Sequence, residues 1–370
     1  MHRIPVLTAC VLLLGLGAPE RAGASAHGAA HAQARSLLHQ ALARLSENSI
    51  DSRRVAVQAL EDANRLAPED AEIELALARA DFLCGFVQSA RRHLEHVVRT
   101  EPASAAGHLD LGRAWKRAWL RSLDKGSLQH AVEELVRATV LDTSNADAWL
   151  ELEPLLVMED NVGAAFVTAF RAAKADPERP EALLAVASAC WRVGLAHDAD
   201  SLFRATIPRL RRAVRERFED VAPLVSAEEA ETLRQLPEEE HAAFADRYWK
   251  SRDPDPRTPE NEARLEFWSR ATQAYLLFFD PRRDTWDARG NIYVRYGPPA
   301  EMRYDPLTEP HSSTFAIGSD FPTHVQVWSY PALGITVRLD DLTLDDRYTL
   351  PIDRAQAMDP ADPMIGVGTR

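Results

Sequence analysis

The chain has only three cysteines in 370 residues, at positions 10, 84 and 190. Three thiols are too few for the disulfide framework that stabilises small secreted domains. The standard catalytic and metal-binding signatures are absent as well: there is no HExxH, GxSxG or CxxC motif, and no glycine-rich phosphate-binding loop. The sequence therefore predicts no catalytic residue, no metal site and no cofactor.

Excess positive charge is also missing. Lys and Arg number 43 against 56 Asp and Glu, so the net charge is −13 and the isoelectric point is near 5.4. An acidic chain repels phosphate, which excludes nucleic acid as an expected partner. Hydrophobic residues make up 46% of the chain, which is enough to bury a core. The length predicts two or more domains, or an elongated array.

Only one long apolar run is present, from Ile4 to Leu16, and it is too short to cross a bilayer, which takes about 20 apolar residues. A basic start precedes it, and the small residues 24–26 follow it, so residues 1–26 are typical of a signal peptide cleaved after Ala26. The chain is then exported and periplasmic or associated with the cell envelope. The alternative is a lipoprotein, because residues 7–10 resemble a lipobox, and membrane association would then follow lipidation at Cys10.

A fixed period appears after this segment. Two independent markers recur in step, with intervals of 34, 41 and 34 residues. The helix-ending phrases lie at Pro68, Pro102, Thr143 and Pro177, and the alanines are Ala56, Ala90, Ala131, Ala165 and Ala199. One seven-residue insertion, near Leu123 to Gly126, explains the single long interval in both series. Matching small residues in the first helix are Ala78, Gly112 and Ala187, whereas Glu153 breaks this pattern.

A period of 34 residues, with small residues where two helices cross, resembles the tetratricopeptide (TPR) repeat. The resemblance covers residues 32–210, about five repeats, and implies an all-α TPR superhelix. Gly85 and Gly194 fall in the turn between the two helices of a repeat, where glycine readily adopts a left-handed backbone. Cys84 and Cys190 are three repeats apart, so we expect no disulfide between them and a buried Cys190.

The TPR resemblance also implies where a partner binds, because the first helix of each repeat lines the concave face in this family. The resulting mixture of basic and apolar side chains suits a protein, or an extended peptide with acidic and apolar residues. The predicted groove residues are Leu109, Arg113, Lys116, Arg117, Leu150, Leu184 and Trp191.

The C-terminal half predicts a small α+β domain at residues 211–350, followed by a flexible tail at 351–370. One helix is expected to open at Ser226, a second to start at Pro237, and a third to start at Thr258 and Pro259. The period then changes, so the phrases NIYVRYG, VQVWSY and ITVRLDD are each expected to form short strands.

Three phrases in this half, YWKSRDPDPRTPENEARLEFW, WDARGNIYVRYGPP and VQVWSYP, resemble the GWxTD domain of exported bacterial proteins, which often stands beside TPR repeats. The name-giving motif is degenerate here, since Thr285-Trp286-Asp287-Ala288 replaces it. The family has no established biochemical role. The residues that carry the resemblance are Trp249, Arg252, Asp253, Pro254, Glu260, Asn261, Glu262, Trp286, Gly297, Pro298 and Pro299.

Three functions are compatible with this sequence. The first is a non-enzymatic envelope scaffold that binds a protein or peptide. The second is a hydrolase-like C-terminal domain delivered by the repeats, because paired carboxylates at Asp253, Glu260, Glu262 and Glu266 could act as acid and base. The arginines beside them, Arg252 and Arg264, favour ionised carboxylates in a structural network instead. The third is a lipid-anchored assembly factor of a secretion or surface system.

Overall fold

The computed structural model describes residues 20–47, 49–281, 283–305, 324–341, 343–351 and 367–369, with the backbone alone described at 20–27, 227 and 367–369. Cys10 and most of the predicted signal peptide lie outside these residues. The chain divides into two compact units, Met1–Phe86 and Val87–Arg370. No helix among the described residues combines the length and the hydrophobicity needed to span a membrane.

Within the described residues, the first unit contains three helices, α1 (Glu20–Ser46), α2 (Ile50–Leu66) and α3 (Ala71–Cys84). Small and medium apolar side chains from all three form one core, which includes Leu38, Leu60 and Ile73. Ser49 and Asp70 cap the N-termini of α2 and α3 by accepting backbone N–H groups.

The second unit opens with seven helices that continue the helix-turn-helix pattern. They are α4 (Val87–Thr100), α5 (Ala105–Ser122), α6 (Lys125–Leu141), α7 (Ala146–Met158), α8 (Val162–Ala175), α9 (Pro180–Arg192) and α10 (Ala196–Thr206). The predicted repeats are confirmed, because all five phased alanines lie on second helices and are buried, at 0–1% exposure. The protein is thus an all-α array of TPR-type helix pairs followed by a small sheet region.

The turns between paired helices use the predicted left-handed backbone. Gly85 has φ 87° and Gly194 has φ 83°, and both end their helices in this conformation. In the third repeat Leu123 takes the same place with φ 54°.

The seven-residue insertion does not form a loop. Helix α5 has 18 residues against 13 in α7, and α6 has 17 against 14 in α8, while the connecting turn is one residue shorter. The third repeat is therefore longer in both helices, and α5 gains more than one turn at its C-terminal end.

Small residues are required where the two helices of a repeat cross. A Cβ atom added at Gly112 would lie 2.6 Å from Cγ of Leu135 on α6. The equivalent position in the fourth repeat is Glu153, which is buried at 1% exposure. The sequence pattern identified this exception, and it places a carboxyl group inside the array.

The described residues of the C-terminal part form five more α-helices and six strands. The helices are α11 (Arg212–Glu219), α12 (Ala227–Gln235), α13 (Glu238–Arg252), α14 (Glu262–Phe278) and α15 (Ala288–Tyr296). The strands are β1 (Phe279–Asp280), β2 (Thr285–Trp286), β3 (Glu301–Tyr304), β4 (His324–Tyr330), β5 (Ile335–Asp341) and β6 (Val367–Thr369). Strands β1 and β2 pair antiparallel, and the other four form an antiparallel sheet in the order β3-β4-β5-β6.

Helix α12 opens at Ser226 with a capping box, and α13 follows Pro237, as predicted. The strand prediction was right for VQVWSY and ITVRLDD, which are β4 and β5, and wrong for NIYVRYG, which forms α15. The expected start of a helix at Thr258 was also wrong, since Asn261 caps α14 and its first residue is Glu262. Part of the predicted flexible tail, residues 367–369, pairs with β5.

Both described cysteines are free thiols, and Cys190 is buried at 2% exposure, as predicted. Residues of α5–α10 and of the C-terminal domain share one continuous hydrophobic core, which includes Leu184, Phe203, Trp268 and Trp328. The repeats of the second unit and the C-terminal domain are therefore packed together as one body.

Candidate functional site

Helix α14 packs against the first helices of the fourth and fifth repeats, α7 and α9, and against α10. We call the side of the second unit formed by α5, α7 and α9 the inner face. Ten of the 17 residues of α14 are buried, including Phe267, Trp268 and Leu277, so this helix is enclosed on several sides. Its position is that of a helix bound in a groove.

Polar contacts fix the register of α14 on the inner face. The Trp191 indole donates to Glu266 at 2.7 Å, the Ser188 and Ser269 hydroxyl oxygens are 2.8 Å apart, Gln273 donates to the Pro154 carbonyl at 2.8 Å, and Lys116 donates to the Leu276 carbonyl at 2.9 Å. The α14 members of these pairs are 266, 269, 273 and 276. This spacing of three and four residues follows one face of an α-helix. Each of these four polar groups on α14 therefore has a hydrogen-bond partner on the repeats.

The seven predicted groove residues lie on or beside this occupied face. Leu109, Leu150 and Leu184 are buried in the shared core, at 5%, 6% and 0% exposure. Trp191 contacts α14 through Glu266, and Lys116 through Leu276. The surface on which these residues lie is covered in part by α14 of the same chain. Their role in binding a partner stays a prediction.

Two of the basic groove residues, Arg113 and Lys116, are paired with acids of the neighbouring repeat. Arg113 donates to Glu151 at 2.9 Å and to Asp147 at 3.1 Å, and Lys116 donates to the other oxygen of Glu151 at 2.8 Å. Burial would raise the pKa of Glu151, but Lys116 and Arg113 together lower it to about 2. These charges therefore stabilise the stacking of the third repeat on the fourth.

The extra turn of α5 is the point where the third repeat meets the C-terminal sheet. Arg289 donates to the Leu120 carbonyl at 2.7 Å, Gln326 donates to the Leu120 and Arg121 carbonyls at 2.7 and 3.1 Å, and the Tyr348 hydroxyl donates to the Arg121 carbonyl at 2.7 Å. The last carbonyls of a helix lack partners within the helix. The C-terminal domain supplies them here, so the seven-residue insertion serves as a docking element.

An ion-pair cluster reinforces this junction. Arg117 donates to Asp346 at 2.7 Å, and Arg121 donates to both oxygens of the same carboxylate. Burial opposes ionisation of Asp346, but the two arginines lower its pKa below the usual range. Arg117, predicted as a groove residue, is thus a contact between the repeats and the domain.

The residues that carry the predicted resemblance to the GWxTD domain lie in three structural settings. Asn261 caps α14 and donates to the Trp249 carbonyl at 2.7 Å, and Glu260 pairs with His197 of α10 at 2.8 Å. Trp286 is buried beside Gly290, and Gly297, at φ 79°, accepts the Tyr330 hydroxyl at 3.1 Å. The remaining members are more exposed: Arg252 stacks on Tyr248, Asp253 accepts the Asp255 backbone N–H, Glu262 accepts the Thr258 hydroxyl, and Pro298 and Pro299 follow Gly297.

The carboxylates considered as an acid and base pair are engaged separately. Glu260 hydrogen-bonds His197, which lowers the pKa of Glu260 and raises that of His197. Burial would raise the pKa of Glu266, but Arg270 and the Trp191 indole lower it. Glutamates held ionised by fixed partners fit the structural network better than a general acid. Among the described residues no group of three or more His, Cys, Asp or Glu side chains could hold a metal ion.

Several residues of this site had no signal in the sequence. Gln273, Ser269 and Gln326 are buried polar residues whose partners lie 81 to 206 residues away. A glutamine among the apolar positions of α14 was the one available hint, because a buried amide must find a partner.

No protein-family model matches this chain, and no curated protein sequence matches it. Solved structures of TPR proteins are similar to it in part. A thermophilic TPR protein of Thermus thermophilus is 18% identical, with 48% of this chain and 92% of that chain covered and a TM-score of 0.40. Pseudomonas aeruginosa PilF is 12% identical, with 60% and 93% covered and a TM-score of 0.46. MamA of Desulfovibrio magneticus RS-1 is 16% identical, with 48% and 94% covered and a TM-score of 0.40. At these values we carry no function over from them.

Proposed function

We propose that this protein is a non-enzymatic interaction scaffold in which the TPR array holds its own C-terminal domain and presents the combined body to a protein partner. The observation that carries the proposal is the packing of α14 against α7 and α9 on the inner face, with Lys116 of α5 bonded to the Leu276 carbonyl of α14. Helical repeats are recognition surfaces, and here the recognised helix belongs to the same chain.

This arrangement changes what a partner can reach. A peptide on the inner face would have to displace a helix with ten buried residues and the polar bonds of Trp191, Gln273 and Lys116. Those donors and acceptors would lose their partners, at roughly 1–3 kcal/mol for each buried group. We therefore place the partner on a surface that is exposed while α14 is bound.

We further propose that the scaffold is exported and that its C-terminal part is a GWxTD-type domain. Support for export comes from the composition of residues 1–26, and support for the domain comes from the three phrases that resemble that family. The first of these phrases runs from the end of α13 into α14, which is the helix that packs against the repeats.

Export gives a direct test at the N-terminus. We expect the mature protein, purified from cells that produce it, to begin at His27. Intact-mass and N-terminal peptide mass spectrometry would show this. A diacylated Cys10 would instead indicate the lipid-anchored alternative, and a chain that retains Met1 in the cytoplasmic fraction would contradict export.

The scaffold itself is tested with the full mature chain, because a fragment without α14 would expose its apolar inner face. We expect tagged protein, cross-linked in cells and purified, to recover a partner in a fixed ratio, and purified partner to bind it again in vitro. A chain that is recovered alone under several cross-linking chemistries would refute the scaffold.

A further inference from the structure

The second helices of the third and fourth repeats, α6 and α8, carry large apolar side chains that face solvent. The exposed fractions are 43% for Val136, 72% for Val140, 55% for Val167 and 45% for Phe170. Exposed residues of this size are ordinary when they are scattered, but these four follow two helices of consecutive repeats. We call them, with Arg137, Arg171 and Lys174, the outer patch.

The repeat register shows that the two helices present the outer patch in the same direction. Val136 and Phe170 are 34 residues apart, as are Arg137 and Arg171, so each pair occupies one position of the repeat. Equivalent positions of stacked repeats face the same side. Neighbouring repeats carry Glu95-His96 and Arg204-Ala205 at these positions, which shows that the fold does not require an apolar residue followed by arginine.

Three cations complete the outer patch. Arg137, Arg171 and Lys174 are exposed and make no ion pair with any described residue. On the second helix of each adjacent repeat, by contrast, one arginine pairs within its own helix, Arg91 with Glu95 and Arg204 with Asp200. A chain of net charge −13 thus keeps these cations, unpaired within its described part, beside exposed apolar side chains.

We propose that the outer patch binds an acidic amphipathic helix of a partner protein. Apolar side chains of that helix would cover Val136, Val140 and Phe170, and its carboxylates would pair with the three cations. This inference rests on the proposed scaffold function and names its binding surface.

The shape and the total charge favour a helix over a membrane. A bilayer is a wide plane, and an anionic one would face the acidic surroundings of the patch, such as Glu133, which is 72% exposed, as well as its cations. A single helix is about 10 Å wide and can contact the cationic strip alone. Local complementarity then outweighs the repulsion by the whole chain.

The test uses a labelled model peptide of about 18 residues, roughly five turns, with leucines on one face and glutamates on the other. Fluorescence anisotropy with the full mature chain is expected to show saturable binding that weakens with salt. A peptide with lysine in place of every glutamate is expected not to bind. Arg171→Glu and Val140→Ser should each weaken binding by about tenfold, because each removes a central contact.

A matched control is Arg99→Glu, which makes the same change of charge at the position of α4 equivalent to Val140. It should leave peptide binding unchanged, and circular dichroism should show that all three variants fold. Equal binding of the lysine peptide would overturn the proposal. Binding to vesicles of phosphatidylglycerol and phosphatidylcholine without binding to the peptide would overturn it in favour of a membrane. Self-association that Val140→Ser abolishes would overturn it in favour of a second copy.

The proposed function and this inference fail in different ways. If the Arg171→Glu and Val140→Ser chains recover the same cross-linked partner as the unaltered chain, the outer patch is the wrong surface and the scaffold stands. If the unaltered chain recovers no partner, the scaffold itself is refuted.

Discussion

Lys116→Met is expected to lower the free energy of unfolding by about 3 kcal/mol. Lys116 is 7% exposed, donates to Glu151 at 2.8 Å, and donates to the Leu276 carbonyl of α14 at 2.9 Å. Methionine fills a similar volume but cannot donate. The substitution therefore leaves the partly buried Glu151 carboxylate with Arg113 alone and a carbonyl of α14 without this donor.

Urea unfolding of the full chain measures this loss, and Lys125→Met is the control, because Lys125 is exposed and should change stability by less than about 0.5 kcal/mol. Combining Lys116→Met with Glu151→Gln should restore part of the stability, since the second change removes the charge that the first leaves under-compensated. Equal midpoints for Lys116→Met and the unaltered chain would show that Lys116 does not hold α14 on the repeats.

The role of Lys116 in stability affects how any mutational test of the inner face is interpreted. Reversal of Arg113 and Lys116 to glutamate would place new carboxylates beside Glu151 and Asp147, which are already paired there. If such a variant no longer bound a partner, unfolding of the junction would explain the result as well as loss of a binding surface would. Variants of the exposed outer patch separate the two effects.

The repeats could be predicted because their physics is local and recurs. Each crossing needs a small residue, so Ala90, Ala131, Ala165 and Ala199 had to return in step, and all are buried. The insertion was located by the same register. The form of the insertion could not be predicted, because two lengthened helices and a longer loop give the same interval in the sequence.

The occupant of the inner face could not be predicted, because no periodicity links positions so far apart. Lys116 and Leu276 are 160 residues apart, and Gln326 and Leu120 are 206 apart. The first helices predicted a basic and apolar lining, and its role in binding a partner stays a prediction. Nothing in that pattern indicated that helix α14 of the same chain would cover part of the lining.

Helix α15 shows a second limit, that of short apolar runs. The alternation of Ile292, Val294 and Tyr296 is typical of a strand. Asp287 caps a helix instead by accepting the Arg289 backbone N–H at 3.0 Å, and the helix packs against α14 with Ile292, Tyr293 and Val294 all buried. A nine-residue helix with five buried residues carries no clear period, so tertiary packing decided the structure.

Glu153→Gln is expected to raise the free energy of unfolding by about 3 kcal/mol at pH 8 and to leave it nearly unchanged below pH 4.5. Burial raises the pKa of Glu153 from 4.5 to about 7, although Arg192 and Lys116 oppose the shift, and Oε2 has no hydrogen-bond partner among the described residues. At a pH between 4.5 and 7 the folded protein keeps the Glu153 proton that the unfolded chain has released. Its stability therefore falls as the pH rises from 4.5 to 7.

Glutamine matches the protonated carboxyl in size and polarity but cannot ionise. The variant therefore does not lose stability at this position as the pH rises from 4.5 to 7. Urea unfolding of both proteins at steps of pH would give the difference, which should grow through the window and level off above pH 7. The difference between the two proteins reports on Glu153 alone. Other groups that titrate in a similar pH range, such as His197, whose pKa is raised by Glu260, are present in both proteins and cancel. A difference that is constant from pH 4 to 8 would mean that Glu153 has the same pKa in the folded and unfolded states. In that case the cations of α5 and α9 would offset its burial, and the charge at this helix crossing would not destabilise the fold.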